Sequence, residues 1–267
     1  MCPVKQVIAT SPLERLLRRD RAVTLSALLA ASLLAWAYIL SGAGMDMSSM
    51  EMNAMPEMAM PRPWTPSYFA LMLAMWAIMM LAMMLPSAVP MVLLFTTIER
   101  RRNHAPPYAA TAIFAVAYGV VWSGFSVVVT LLQWMLDRLA LLSSALATTN
   151  GLIAGAILIA AGVYQLTPLK QACLRGCRSP LEFISRHWNS GPFGIGLRHG
   201  IYCVGCCWMM LLLLFVGGIM NLIWVAVIAT SILVEKVAPR GPWLGYGVGA
   251  ALIAWGVWTL HDYATTP

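Results

Sequence analysis

Five of the six cysteines lie in two short segments of the chain. Residues 199–210 read HGIYCVGCCWMM, and an upstream segment carries two cysteines four positions apart. On a helix that turns by about 100° per residue, the three thiols of CVGCC lie within one arc. Thiolates are soft ligands that select soft metal ions. The spacing therefore predicts a thiolate metal site formed by Cys173, Cys177, Cys203, Cys206 and Cys207.

Other uses of these thiols remain open at the level of sequence. A buried cysteine can serve as a small apolar side chain. Cys203 and Cys206 also form a C-x-x-C unit, which is compatible with a membrane thiol oxidoreductase, although no thioredoxin-like pattern surrounds it. Four thiolates would also suit zinc or an iron–sulfur cluster.

A methionine-rich segment favours Cu(I) among these metals. Residues 45–60 read MDMSSMEMNAMPEMAM, in which seven of the sixteen residues are methionine. Thioether sulfur is a soft donor for Cu(I), with Ag(I) as its usual mimic, and it remains usable where free thiols would be oxidised. The alternative is a flexible linker with a biased composition. The candidate ligands here are Met45, Met47, Met50 and Met52.

A second group of methionines follows in the apolar segment 72–91, MLAMWAIMMLAMMLPSAVPM. Met75, Met79 and Met83 are four residues apart and share one helix face, whereas Met84 falls on a neighbouring face. They are candidate metal ligands, with ordinary packing as the alternative. Pro86 and Pro90 are expected to interrupt the hydrogen-bond ladder of this helix.

Other polar groups in the apolar segments are few. Glu235 and Lys236 close one of them and are expected to pair with each other or with Arg240, and His199 could cap the thiol site. No catalytic triad, P-loop or glycine-rich nucleotide motif is visible, so we predict no catalytic residues and an ATP-driven pump is not favoured.

The elements that carry these residues are predicted to be transmembrane helices. The chain of 267 residues is 60% hydrophobic and 10% charged, unlike a soluble domain. We predict an all-α polytopic helix bundle of about seven spans, or six if residues 200–238 form one re-entrant hairpin. The predicted spans are 22–40, 67–95, 108–134, 146–166, 200–219, 221–238 and 243–260.

The distribution of basic residues predicts the orientation of the bundle. With a cytoplasmic N-terminus, 15 of the 17 lysines and arginines fall in cytoplasmic segments. The net charge of +7 therefore indicates topology and contact with anionic lipid rather than nucleic-acid binding. The predicted parts are a basic arm (1–21), a first transmembrane helix (22–40), an extracytoplasmic loop (41–66), a six-helix membrane domain (67–260) with a cytoplasmic loop (167–199), and an extracytoplasmic tail (261–267).

Four motifs together resemble an uncharacterised family, the bacterial predicted metal-binding integral membrane proteins. The motifs are MWAIMMLAMMLPSAVP (75–90), YQLTPLKQACLRGCRSP (164–180), GIYCVGCCWMMLLLLFVGGIMNLIW (200–224) and EKVAPRG (235–241). The resemblance covers roughly residues 67–260. It implies a multi-pass protein of the bacterial cytoplasmic membrane that binds metal, without an established reaction.

These observations predict a protein that transports or delivers a soft metal, Cu(I), across the cytoplasmic membrane. Inward transfer is expected, since weaker thioethers lie outside and stronger thiolates inside. The expected partners are the lipid bilayer and a metallochaperone or client membrane complex. The alternatives are a thiol–disulfide oxidoreductase and a metal-insertion factor for another complex.

Overall fold

The structure of the protein is a computed structural model that describes residues 12–41, 64–103, 105–143 and 146–265. The fold of this part is an all-α bundle, as predicted, and its one β pairing is an isolated bridge between Leu142 and Thr148. A short 3₁₀ turn, Trp188–Ser190, joins the sixth and seventh helices. The helices are α1 (Pro12–Leu40), α2 (Pro66–Asn103), α3 (Tyr108–Arg138), α4 (Gly151–Leu166), α5 (Pro168–Arg178), α6 (Pro180–His187), α7 (Gly191–Leu212), α8 (Leu214–Gly217), α9 (Leu222–Val237) and α10 (Gly241–Thr265).

Within the described ranges, five helical stretches are long and apolar enough to cross a membrane. The bent pair α4 and α5, which meet at 64°, adds a sixth if the two form one broken span. The prediction of seven counted α4 and α9 as full spans, but each has only 16 residues. At a rise of about 1.5 Å per residue such a helix is roughly 24 Å long, shorter than the ~30 Å hydrocarbon core. Length and composition therefore support five or six spans.

The segment predicted as a loop at 167–199 is largely helical. It contains α5, α6, the 3₁₀ turn and the first residues of α7, which begins at Gly191 rather than at residue 200. Thr167 accepts the backbone N–H of Lys170 and so caps the start of α5, where Pro168 occupies the first turn. Of these short helices, α5 places Cys173 and Cys177 against α7.

One end of the bundle gathers basic residues from separate helices. Asp20 of α1 accepts hydrogen bonds from Arg100 of α2 and Tyr108 of α3, each at 2.9 Å. Nearby, the guanidinium of Arg102 stacks 4.5 Å from the ring centroid of Trp188. We call this the basic end. Charged groups buried here are paired, which offsets much of the cost of taking them out of water.

The opposite end is defined by contacts among other helix termini. Trp64, just before α2, donates its indole N–H to Asp137 near the end of α3 at 2.7 Å. Gly151 at the start of α4 packs against Tyr263 near the end of α10. Seven described helices, α1, α2, α3, α4, α7, α9 and α10, thus alternate in direction between the two ends. The described chain starts at the basic end and finishes at the opposite one.

Small residues allow α4 and α10 to pack closely in antiparallel orientation. A Cβ at Gly162 would lie 2.7 Å from the carbonyl oxygen of Gly249, and one at Gly155 would lie 3.1 Å from that of Gly256. Close backbone approach through small residues is a common way to associate helices in lipid, where the hydrophobic effect does not drive helix pairing.

The helix α2 continues through both of its prolines, so the expected loss of backbone hydrogen bonds does not end it. Pro86 has no N–H to offer the carbonyl oxygen of Ala82. The hydroxyl of Ser32 in α1 donates to that oxygen at 3.4 Å, so a neighbouring helix satisfies the freed group. This arrangement keeps the methionine-rich turns of α2 regular up to the site described next.

Candidate metal centre

A cluster of thiols lies in the interior of the bundle, where α2, α3, α5, α7 and α9 meet. Cys203, Cys206 and Cys207 of α7 are buried, with at most 2% of each residue exposed. Their spacing of three and four residues puts them on one face of α7, as predicted. No disulfide joins the five cysteines of the described chain. We call Cys177, Cys203, Cys206, Cys207 and Met84 the sulfur cluster.

Cys203 is the residue of the cluster with the most polar contacts. Lys236 of α9 donates its ammonium N–H to the Cys203 sulfur at 2.9 Å. The Tyr118 hydroxyl of α3 lies 3.2 Å from the same sulfur. The ammonium favours negative charge on that sulfur, which is the form that binds a metal ion.

Cys206 and Cys207 share a backbone acceptor. Each thiol donates to the carbonyl oxygen of Cys203, at 3.1 Å and 2.9 Å. The Cys207 thiol also lies 4.0 Å from the thioether sulfur of Met84 in α2. Rotation of these two side chains away from the carbonyl oxygen would allow their sulfurs to bind a metal ion.

Cys177 approaches the cluster from α5. Its sulfur lies 3.9 Å from that of Cys206. A metal–sulfur bond is about 2.3 Å for zinc, so a single ion can bridge two sulfurs at this separation. The neighbouring Arg178 donates to the carbonyl oxygens of Glu235 and Pro239, at 2.6 Å and 3.1 Å, and thereby fastens α5 to the end of α9.

A buried ion pair makes the second connection between α5 and α9. The ammonium of Lys170 donates to the carboxylate of Glu235, and both side chains are nearly inaccessible to solvent. The sequence instead predicts a pair between Glu235 and Lys236 or Arg240, which is wrong. Successive residues on a helix point in different directions, so Glu235 faces α5 while Lys236 faces the sulfur cluster.

Comparison with known families bears on what this cluster does. A family model described as "PpoB2: Copper chaperone" matches residues 73–259, a range that contains every residue of the sulfur cluster. The chain belongs to this copper chaperone family. The match also agrees with the predicted metal-binding membrane family. No curated protein and no solved structure matches the chain.

In this member of the copper chaperone family, the ligands of the sulfur cluster are not yet arranged around a single ion position. Within the described residues, no three histidine, cysteine or acidic side chains already stand together as ligands of one ion. Cys206 and Cys207 are instead hydrogen-bonded to a backbone oxygen, and Lys236 contacts Cys203. The donor set of thiols and a thioether nevertheless suits Cu(I).

The other predicted ligands occupy different positions. Cys173 is half-buried, and its sulfur packs against the backbone of Gly205, beside the cluster. Met75, Met79 and Met83 are buried in the core of α2, and the thioether in contact with a thiol is that of Met84. Met45, Met47, Met50 and Met52 lie outside the described residues.

The sequence did not identify three residues in or beside the cluster as part of the site. Met84 was assigned to a neighbouring face of its helix, while Tyr118 and Ser87 were not singled out. Ser87 lies 3.3 Å from the Lys236 ammonium. A polar residue inside an apolar helix was the available signal, and Tyr118 and Ser87 both have that feature.

His199 lies one helical turn before Cys203 and is 2% exposed. The rings of Phe114, Tyr118 and Phe183 surround it, and the Tyr118 ring stacks at 5.5 Å between centroids. Neither ring nitrogen has a hydrogen-bond partner within the described chain. The sequence suggested that His199 caps the site, and the structure places it above Tyr118, next to the cluster.

A cavity of about 430 Å³ opens between α5, α6 and α7 on the basic side of the cluster. Gly176 and Tyr202, which line it, directly precede Cys177 and Cys203 in the sequence. Tyr202 packs against Gly176, so this contact lies between the cavity and the thiols. Arg175 lines the cavity, together with Arg186 and its ion-pair partner Glu182.

Proposed function

We propose that the protein binds Cu(I) at the sulfur cluster and delivers it within or across the membrane to an acceptor. Four thiols and one thioether converge in a buried cluster within a chain of a copper chaperone family. Soft sulfur donors hold Cu(I) in preference to harder cations. The convergence of Cys177 with the α7 thiols is the observation that carries the proposal.

Delivery requires a ligand set that can exchange its ion. The thiols are held by hydrogen bonds with different partners rather than by a rigid cage. A thiol group of an acceptor can therefore replace one ligand at a time while the others hold the ion. The cavity between α5, α6 and α7 offers the nearest approach to Cys177 and Cys203 from the basic end.

The test is Cu(I) binding by the purified full chain, measured against a chromophoric Cu(I) chelator without oxygen. Replacement of Cys203, Cys206 and Cys207 by serine is expected to abolish high-affinity binding. Cys173→Ser is the matched control, because its sulfur lies against Gly205 outside the cluster, and it should retain binding. Unchanged stoichiometry and affinity in the triple variant would return the thiols to a packing role.

The purified protein also allows a test of the alternative function, that of a thiol oxidoreductase. The Cys177 and Cys206 sulfurs lie 3.9 Å apart, and this pair is not the one in the C-x-x-C motif. The test is whether Cys206 forms a mixed disulfide with a protein substrate. If that disulfide forms at the same rate after copper is removed, the result favours redox chemistry over copper delivery.

A further inference from the structure

Lys236 is a buried cation whose nearest partners include sulfur atoms. It lies near the end of α9 and is 6% exposed. Its ammonium donates to the Cys203 sulfur at 2.9 Å and to the Ser87 hydroxyl at 3.3 Å, and the Met84 sulfur lies at 3.9 Å. Three acceptor atoms from α2 and α7 thus surround one positive charge.

No carboxylate of the described chain forms an ion pair with Lys236. The adjacent Glu235 points to α5 and pairs with Lys170. The other close ion pairs of the described chain do not involve α9. A buried ammonium without a counter-charge is strongly unfavourable. The arrangement therefore needs negative charge in the sulfur cluster itself.

A copper–thiolate complex supplies that negative charge. Cu(I) carries one positive charge and each thiolate one negative charge, so Cu(I) with two thiolates has one net negative charge. Such a complex in the apolar interior needs one compensating cation. The ammonium of Lys236 brings the total to zero, whereas thioether and hydroxyl ligands add no charge.

We propose that Lys236 is the counter-cation of the Cu(I)–thiolate centre. This inference rests on the proposed function. With copper bound to Cys203, the Lys236 ammonium would attract the complex over a longer distance while keeping its contacts with Ser87 and Met84. The lysine is a positioning residue that stabilises the metal-bound form through its charge and is not a ligand.

The experiment compares Ag(I) and Cu(I) affinities of the full chain in detergent with those of Lys236→Met. Loss of the charge should weaken both affinities at least about tenfold, equivalent to about 1.4 kcal/mol. Lys236→Arg restores a cation and should recover most of the affinity. Ser87→Ala removes one contact of the ammonium but keeps its charge, so it should bind within a few-fold of the original protein.

A structural role for Lys236 predicts a different pattern. Thermal unfolding of each metal-free variant separates folding from binding, and Lys236→Gln provides a second neutral side chain if the methionine variant does not fold. Equal affinity in a folded neutral variant overturns the inference while leaving the proposed function intact. Tighter binding also overturns it, because it would show that the ammonium competes with copper for Cys203. Absence of Cu(I) binding in the unsubstituted protein would overturn both.

Discussion

The ring nitrogens of His199 show how a single residue can work against the stability of the metal-free protein. Both nitrogens are buried without a hydrogen-bond partner in the described chain, within a ring of aromatic side chains. A buried polar group without a partner costs roughly 1–3 kcal/mol, whereas an apolar group of similar shape does not incur that cost. Such a group is often retained for function.

We therefore expect His199→Phe to raise the free energy of unfolding of the metal-free protein by roughly 1–3 kcal/mol. Thermal or denaturant unfolding in detergent measures it. His187→Phe is the matched control, because His187 also packs on Phe183 but its Nδ1 lies 2.9 Å from the Phe183 carbonyl oxygen. The control should not gain stability. A less stable His199→Phe protein would show that the imidazole has a partner, such as a buried water.

The sequence predicted those features of the site that depend on local spacing. Cys203, Cys206 and Cys207 share a face because helical geometry fixes the angles between them. The approach of Cys177 was inferred from the predicted topology, which puts both cysteine segments on the cytoplasmic side. The contacts of Met84 and Lys236 depend on how α2 and α9 are rotated against α7. Rotation of packed helices is a property of the whole bundle, so no local pattern in the sequence specifies it.

At the scale of elements, the pairing of α4 with α10 depends on glycine. Gly162→Ala would place a methyl group 2.7 Å from the Gly249 carbonyl oxygen and force the two backbones apart. We expect a loss of roughly 1–3 kcal/mol in the free energy of unfolding. The measurement is the unfolding midpoint of the purified protein.

Gly119→Ala in the interior of α3 is the control for this substitution. No atom lies within 4 Å of a Cβ at this position. Alanine is a better helix former than glycine by up to about 1 kcal/mol, so the control should be neutral or stabilising. Equal losses in both variants would mean that the α4–α10 contact does not depend on close approach.

The ion pair between Lys170 and Glu235 joins α5 to α9 and so holds Cys177 near α7. Lys170→Met leaves a buried carboxylate without a partner, which costs roughly 3–5 kcal/mol. Adding Glu235→Gln removes the charge and should recover most of the loss. The unfolding free energies of the single and double variants measure this coupling. If the double variant is no more stable than the single one, the pair does not act as a unit.

The positions of helices were more predictable than their lengths. Apolar runs identified the region of every long helix, because a bundle in lipid requires continuous apolar surface. The short α4 and α9 were assigned full length, since hydropathy extends into the residues that flank them. The helices α5 and α6 were missed because they are amphipathic and short, and packing against α7 stabilises them.

At the scale of the whole molecule, basic residues that are distant in the sequence meet at one end of the bundle. Arg100, Arg102 and Arg178 all make their contacts there. The excess of basic residues in the segments at this end is the pattern that predicts a cytoplasmic N-terminus. The sulfur cluster and its cavity lie toward this end.

Reporter fusions test the predicted topology. Fusions after Arg102 and after Arg186 should report a cytoplasmic position, and a fusion after Asp262 should report an extracytoplasmic one. The reason is that the contacts of Arg102 lie at the basic end, whereas Tyr263 packs at the opposite end. A cytoplasmic position for the Asp262 fusion would mean an even number of crossings, such as the six that length and composition allow, and would show that one of the seven alternating helices does not cross the membrane.

We predict the direction of copper transfer from the expected positions of the two kinds of sulfur ligand. The methionine segment 45–60 connects Ser41 to Trp64, and Trp64 lies at the end opposite the basic one. Thioethers are neutral and bind Cu(I) more weakly than thiolates, so affinity should rise from that end toward the sulfur cluster. A rise in affinity toward the cytoplasm favours inward delivery.

Cells that express the protein should therefore accumulate more copper at low external copper than cells without it, as measured by elemental analysis. Replacement of Met75, Met79 and Met83 by leucine should reduce accumulation if the buried stripe of α2 assists transfer, because these swaps nearly conserve volume and cost less than about 1.5 kcal/mol each. Cys173→Ser should leave accumulation unchanged. Lower copper content together with greater copper tolerance would contradict inward delivery and indicate export.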